Sequence, residues 1–287
     1  MLKRILTAAI LIPIVVIVVY WGPSWLVAVL AALVALLALH EFFKLSAQMG
    51  LRAFQIWTYI CAAGLFYAQW VAGGADVYRL SSNLELVHGV AGSAASVETV
   101  ILAFILGSAF IGIASRKPLA DVLPGIAASA GGLLMIALPF SYLARMDSRP
   151  HAGPVLVLFT LALIWAGDSL AYFVGKSIGR SKMAPALSPA KTWEGAAANV
   201  LGSLIVGLLF AWWQGGDVTP WLVTAVLANI SGQVGDLVES AYKRGAGAKD
   251  SGALLPGHGG MLDRIDSLIL AAPVVWLAAG WLLQGRP

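Results

Sequence analysis

Charge is what this chain has least of. Asp, Glu, Lys and Arg make up 11% of its 287 residues, less than half the share of about 25% found in ordinary soluble domains. Hydrophobic residues make up 60% and mean hydropathy is +0.86, so a soluble globular fold is excluded. Cysteine is nearly missing as well. Cys61 stands alone, which rules out an intrachain disulfide and a thiolate metal centre, and its place in an apolar block marks it as a packed small residue. Nothing has the alternating ten-residue strands of an outer-membrane barrel. After the apolar run 5–21 no small-x-small cleavage site follows, so that run is expected to remain as a first membrane span. The net charge of +4 points to no nucleic-acid partner, because the basic residues are scattered between apolar blocks as membrane orientation alone would scatter them.

What is present is length. Nine apolar runs, 5–21, 25–43, 54–71, 99–114, 124–144, 154–174, 196–213, 221–242 and 267–283, approach or match the roughly 20 residues that cross a bilayer core as helix. The expectation is an all-α, polytopic integral membrane helical bundle of about nine transmembrane helices. The first two should form a tight hairpin through Gly22, Pro23 and Ser24. With the N-terminus inside, Arg79, Arg145, Arg149 and Arg286 fall outside and the other fourteen of the eighteen Lys and Arg fall inside. That satisfies the positive-inside rule and puts the C-terminus outside. Residues 1–150 read as the first five spans. Residues 151–287 read as a catalytic region with two polar cytoplasmic loops, 175–195 and 243–264.

The eighth run carries Asn229, Gln233, Asp236, Ser240 and Lys243 at spacings of four, three, four and three, one stripe along a helix. A carboxylate deep in a membrane helix costs about 2.5–3.5 kcal/mol, so the stripe must face protein or a water-filled cavity. Interhelical hydrogen bonding alone could account for Asn229 and Gln233. Asp236 needs a cation as well, for which Lys243, two turns on, or a metal ion could serve.

The loop that follows holds six glycines between Gly245 and Gly260, which leave backbone N–H groups free to wrap an anion. Asp263 and Asp266, three residues apart, then open the last span on one helical face. Asp236, Asp263 and Asp266 are therefore expected to share a divalent cation. Hard oxygen donors with no cysteine in reach favour Mg²⁺, with or without a second cation. Carboxylates, Lys/Arg and a glycine-rich loop together suit nucleotide phosphates. His258 either touches a phosphate or holds the turn, and no second His stands near it to make a metal site.

A second polar patch follows the sixth run, where Asp168 sits in an otherwise apolar helix. Gly175, Lys176 and Ser177 hint at a P-loop, but Leu170 occupies the place of its first glycine. Ser188 is expected to N-cap a helix with Pro189 at its first position, presenting a helix N-terminus and Lys191 to an anion. A well-capped span would explain Ser188 and Pro189 equally, but not Lys191, Thr192 and Glu194.

Ser240, Tyr242, Lys243, Arg244, then Lys249 and Asp250, then Pro256, His258, Gly259, Gly260, Asp263, Arg264 and Asp266 follow a fixed order over 27 residues. In that order the chain resembles the phosphatidate cytidylyltransferase (CDP-diacylglycerol synthase) family, departing only at Tyr242, where an aliphatic residue or Phe is usual. The block 167–195 resembles a second common stretch of the family. The resemblance implies transfer of the cytidylyl group of CTP to phosphatidate, giving CDP-diacylglycerol and pyrophosphate, at the cytoplasmic face of a bacterial-type inner membrane. It further implies Mg²⁺ on Asp236 and Asp263, with Asp266 as a third candidate, and phosphates positioned by Lys243, Arg244, Lys249 and Arg264. Asp168, Ser188, Lys191, Thr192, Glu194, Asn229, Ser240, Asp250, His258, Gly259 and Gly260 complete the expected substrate site, and pairing as a homodimer is implied too. A cytidylyltransferase for another lipid phosphate would share most of this site. An ion-coupled transporter is the rival of another class, against which stand charges gathered at one membrane face and no internal repeat.

Overall fold

The structure, a computed structural model, describes residues 2–74, 96–115, 118–150, 152–215, 217–252 and 259–283, with residues 2–10 as backbone alone. Among these residues each of the nine apolar runs is a helix. In chain order they are α1 (Leu2–Trp21), α2 (Ser24–Gln48), α3 (Gln55–Ala72), α4 (Val97–Ala114), α5 (Leu119–Asp147), α6 (Gly153–Ser177), α7 (Trp193–Gln214), α8 (Thr219–Gly245) and α9 (Leu262–Leu282). Seven of them, α2 and α4 to α9, are long and apolar enough to cross a membrane, counting only residues whose side chains are described, which in α1 begin at Leu11. The chain is an all-α polytopic membrane protein with one addition. Lys182–Ala184 (β1) and Ser188–Thr192 (β2) pair antiparallel, with Lys182 opposite Thr192 and Ala184 opposite Ser188.

Two compact units divide the chain, Met1–Pro154 with Ala246–Leu262, and Val155–Gly245 with Asp263–Pro287. The stretch Ala246–Leu262, expected from the sequence to belong with the C-terminal spans, thus groups with the first five helices. Its tie to α2 is described below. In this first unit α2, α3 and α5 form the core, where Leu39, Phe43, Leu65 and Leu133 are buried. A π-helical turn, Leu133–Ala137, interrupts α5. Just before it Gly132 lets α2 approach, since a Cβ there would lie 3.0 Å from Leu39 Cδ2 and Phe43 Cε1. On α4 most large apolar side chains other than the buried Phe104 point outward, with Phe110 73% and Ile113 87% exposed. Such a surface belongs in lipid.

In the second unit Phe159 of α6 meets Trp221 of α8 edge to face, with centroids 5.0 Å apart, and both rings are buried. Such a pair is worth about 0.5–1.5 kcal/mol beyond its buried area. Close helix approach decides where the polar stripe of α8 goes. A Cβ on Gly232 would lie 2.7 Å from Ile164 of α6 and 3.1 Å from the Ser267 carbonyl of α9, and one on Gly235 would strike the Asp266 carbonyl. Small residues at these points let backbones come together, and α8 thereby lays Asp236 and Glu239 alongside the first turns of α9.

Candidate active site

The deep half of the α8 stripe is a hydrogen-bonded chain. Gln233 Nε2 donates to Asn229 Oδ1 (2.7 Å) and to the Ala196 carbonyl (3.3 Å). Asn229 Nδ2 donates to Asn199 Oδ1 and to Ser203 Oγ of α7, both at 2.5 Å. Asn199 Nδ2 then donates to Asp168 Oδ1 (3.1 Å) on α6. Each amide passes its donors onward, so the orientation of Asp168 is set by three helices at once. Asn229 and Asn199 are buried, and burying amides without such partners would cost about 1–3 kcal/mol each.

One turn on, the stripe changes from amides to charges. Asp236 Oδ2 pairs with Lys191 Nζ at 2.7 Å. Lys243 pairs with Glu239, one turn before it on α8, and with Asp263 Oδ1 at 2.6 Å. The sequence leaves either Lys243 or a metal ion as the cation for Asp236; the structure pairs Asp236 with the lysine of β2 and turns Lys243 toward α9. One oxygen each from Asp236, Glu239 and Asp266 lie within 4.8 Å of one another. Two unit charges at that separation repel by roughly 3.5 kcal/mol at an effective dielectric of about 20. Glu239 is 3% exposed, and apart from the Lys243 ion pair neither of its oxygens has a hydrogen-bond partner among the described residues. Three hard oxygen donors, one of them buried and under-satisfied, with no thiol beside them, suit a divalent cation of the Mg²⁺ type. Asp263, expected in the metal set, instead faces the Lys243 ammonium.

Of this cluster Asp236 also lines a cavity of about 500 Å³, together with Asp168, Tyr172, Lys191, Thr192 and Gln233 among others. The hairpin supplies its basic wall. Ser188 is the first residue of β2, not a helix cap, and α7 is capped four residues later by Thr192, whose Oγ1 accepts from Gly195 N at 3.1 Å. Extended pairing with β1 uses up residues 188–192, so the helix cannot start earlier. Lys191, at intermediate burial, therefore reaches the cavity from a strand. Glu194, in the first turn of α7, accepts from Ser181 N at 3.1 Å and ties the hairpin base to the helix. Arg244 Nε donates to the Leu187 carbonyl (3.1 Å) from the end of α8, and Ser240 is buried one turn before it. Arg264 is exposed.

In the first unit the glycine-rich stretch wraps an anion, but one of the protein's own. Glu41 Oε1 on α2 accepts from Met261 N (2.9 Å), and Oε2 accepts from Leu262 N (2.9 Å) and Ser251 Oγ (2.8 Å). Gly260 is buried beside it, and Gly259 adopts φ +80°, the left-handed region open to glycine. Lys249 and Asp250 are exposed. His258 lies outside the described residues.

With this geometry in hand the comparison with known proteins is decisive. A profile of the Cytidylyltransferase family matches residues 2–281. The chain belongs to that family. It is 45% identical over 152 residues to the phosphatidate cytidylyltransferase of Brucella abortus, covering 52% of this chain and 55% of that one. It is 38% identical over 146 residues to the enzyme of the same name from Bacillus subtilis, covering 50% and 54%. A longer match, 34% over 266 residues and 88% of this chain and 78% of the other, is to YnbB of Escherichia coli K12, which is named as uncharacterized. The chain thus spans about half the length of the phosphatidate cytidylyltransferases it matches.

Three polar residues of this cytidylyltransferase family member escaped the sequence reading. Glu239 carried a signal, since it stands three residues after Asp236 and four before Lys243, both spacings that bring helix neighbours together. Asn199 carried a weak one, as a lone amide in an apolar run. Glu41 carried none, because its Ser251 partner lies 210 positions away.

Proposed function

We propose that this cytidylyltransferase family member transfers the cytidylyl group of CTP to phosphatidate, releasing pyrophosphate and forming CDP-diacylglycerol. The observation that carries this reading is a carboxylate trio in which Glu239 is paired with Lys243 and Asp236 with Lys191, the last two also lining a cavity. The names of the relatives matched over half their length support it. In the reaction a phosphate oxygen of the lipid bonds to the α-phosphorus of CTP while the bond from that phosphorus to the bridging oxygen of the β-phosphate breaks. Phosphatidate is ionised near neutral pH, so no side chain has to act as a strong base.

Asp236, Glu239 and Asp266 would hold Mg²⁺, with Asp263 held back by Lys243 or joining a second cation. When bound, the ion neutralises phosphate charge and favours departure of pyrophosphate. Lys191 orients a phosphate at the cavity wall, and the amide chain ending on Asp168 fixes the facing side. Thr192 and Glu194 hold the hairpin that carries Lys191. Arg244, Arg264, Lys249 and Asp250 are candidates for contacts with the triphosphate. Nine spans, an inside N-terminus and an outside C-terminus put this chemistry on the cytoplasmic face of the inner membrane, where CTP is, and the distribution of Lys and Arg supports that orientation. Homodimer pairing is carried over from the family resemblance.

The test is Mg²⁺-dependent transfer of label from CTP to phosphatidate in detergent micelles, with Asp236→Asn beside the wild type. Lipid-soluble label and free pyrophosphate from the wild type alone support the reading. Label on isoprenoid phosphates but not on phosphatidate reassigns the acceptor.

A further inference from the structure

Glu41 is a buried carboxylate in an apolar helix, 3% exposed, and no part of the proposed chemistry uses it. Placing such a group there is costly, so its partners are informative. Its three partners among the described residues are donors, two backbone amides and a hydroxyl, and they belong to the two stretches of chain that flank residues 253–258. Ser251 precedes those residues in the chain, and Met261 and Leu262 follow them. Two glycines make room for the carboxylate. A Cβ on Gly252 would lie 2.5 Å from Glu41 Oε1, and one on Gly260 would strike Oε2 and Ser251 Oγ. The amides it binds are those at the start of α9, whose first residue is Leu262 and whose next is Asp263. The first amides of a helix have no partner within it, and here a carboxylate from another helix, α2, supplies one.

We propose that Glu41 is a positioning residue for cytidylyl transfer: it ties Ser251 to Met261 and Leu262 and sets where α9 begins, and with it the turn that carries Asp263 and Asp266. The proposal rests on the reading of the site given above. It explains why the side chain must be Glu. An amide at this position has one acceptor atom in place of two, so either Met261 N or Leu262 N is left facing an NH₂ group. Asp is one methylene too short to reach both flanks from the same backbone.

Full-length Glu41→Gln and Ser251→Ala are compared with wild type in detergent. Amide hydrogen exchange is followed at Met261 and Leu262, and the Mg²⁺ concentration for half-maximal effect is read twice, from cytidylyl transfer and from the Mg²⁺-dependent rise in melting temperature. Glu41→Gln is expected to speed exchange at these two amides by about tenfold or more and to raise the half-saturating Mg²⁺ by about fivefold or more in both readings. Ser251→Ala, which keeps the carboxylate and removes one donor, is expected to shift both by about twofold, and the double variant to be no worse than Glu41→Gln, as for groups that act as a unit. If Glu41→Gln does not accumulate, Ser251→Ala carries the test alone. Unchanged exchange overturns the clamp. A fall in kcat with half-saturating Mg²⁺ unchanged in both readings overturns the positioning role and leaves a structural one. An inactive wild type with intact exchange and melting responses would instead count against the proposed reaction.

Discussion

Neutralising Glu239 probes the carboxylate trio most sharply. Its ligand oxygen lies within 4.8 Å of those of Asp236 and Asp266. If all three groups are ionised, Glu239 takes part in two of the three repulsive pairs, roughly 7 kcal/mol in total at an effective dielectric of about 20. Lys243 opposes this, but its one ammonium is shared between Glu239 and Asp263. Glu239→Gln removes the repulsion and the attraction together and keeps the volume. The two terms are similar in size, so the metal-free protein should change in stability by no more than about 2 kcal/mol. The response to Mg²⁺ should change much more. An ion at about a hundredfold its Kd adds about 2.7 kcal/mol to the folded state, which corresponds to a rise in Tm on the order of 5 °C. The assay is thermal unfolding in detergent followed by tryptophan fluorescence, with and without saturating Mg²⁺, using the 11 Trp of the chain. Wild type should show the rise and Glu239→Gln should lose most of it. An undiminished rise in the variant would refute Glu239 as part of the cation site.

Three other outcomes follow from the same geometry. Lys191→Met removes the cation paired with Asp236 at 2.7 Å; kcat/KM should drop about 30- to 1,000-fold, the range for loss of a partly buried charged contact of about 2–4 kcal/mol, with the melting temperature little changed. Asn229→Leu breaks the chain of amides and strands donors of Gln233 and acceptors of Asn199, so stability should fall by about 2–3 kcal/mol, measured by unfolding in a mixed-micelle denaturant series. Leu106→Arg puts a charge on the outward face of α4, where Leu106 is 62% exposed; insertion of that helix should become less favourable by about 2.5–3.5 kcal/mol, measured by glycosylation mapping of an isolated span.

Much of the helical frame was legible because an apolar run of about 20 residues needs no partner to declare itself. The α8 stripe was legible for a similar reason, since Asn229, Gln233 and Asp236 repeat at helix spacing. The same local logic misassigned the charges. It saw Lys243 two turns from Asp236 on one helix, but the ammonium that reaches Asp236 comes from Lys191, on a strand 45 positions earlier in the chain. That strand was itself illegible, because a hairpin of three and five residues with Pro189 and two lysines has no period to read. Ser188 looked like a cap for a sound reason, a hydroxyl before proline, and lost that role to Thr192 once pairing with β1 held residues 188–192 extended. The glycines near the end of the chain were read as a cradle for a ligand, and two of them, Gly252 and Gly260, make room for Glu41 instead.

The most direct test of the central claim is cytidylyl transfer itself, measured as Mg²⁺-dependent movement of label from CTP into phosphatidate by purified wild type, Asp236→Asn and Glu239→Gln. The account predicts labelled CDP-diacylglycerol and an equal amount of pyrophosphate from wild type, with both variants reduced by at least about a hundredfold at equal folded yield. Well-folded wild type that makes no labelled lipid, or variants that work as well as wild type, would contradict it.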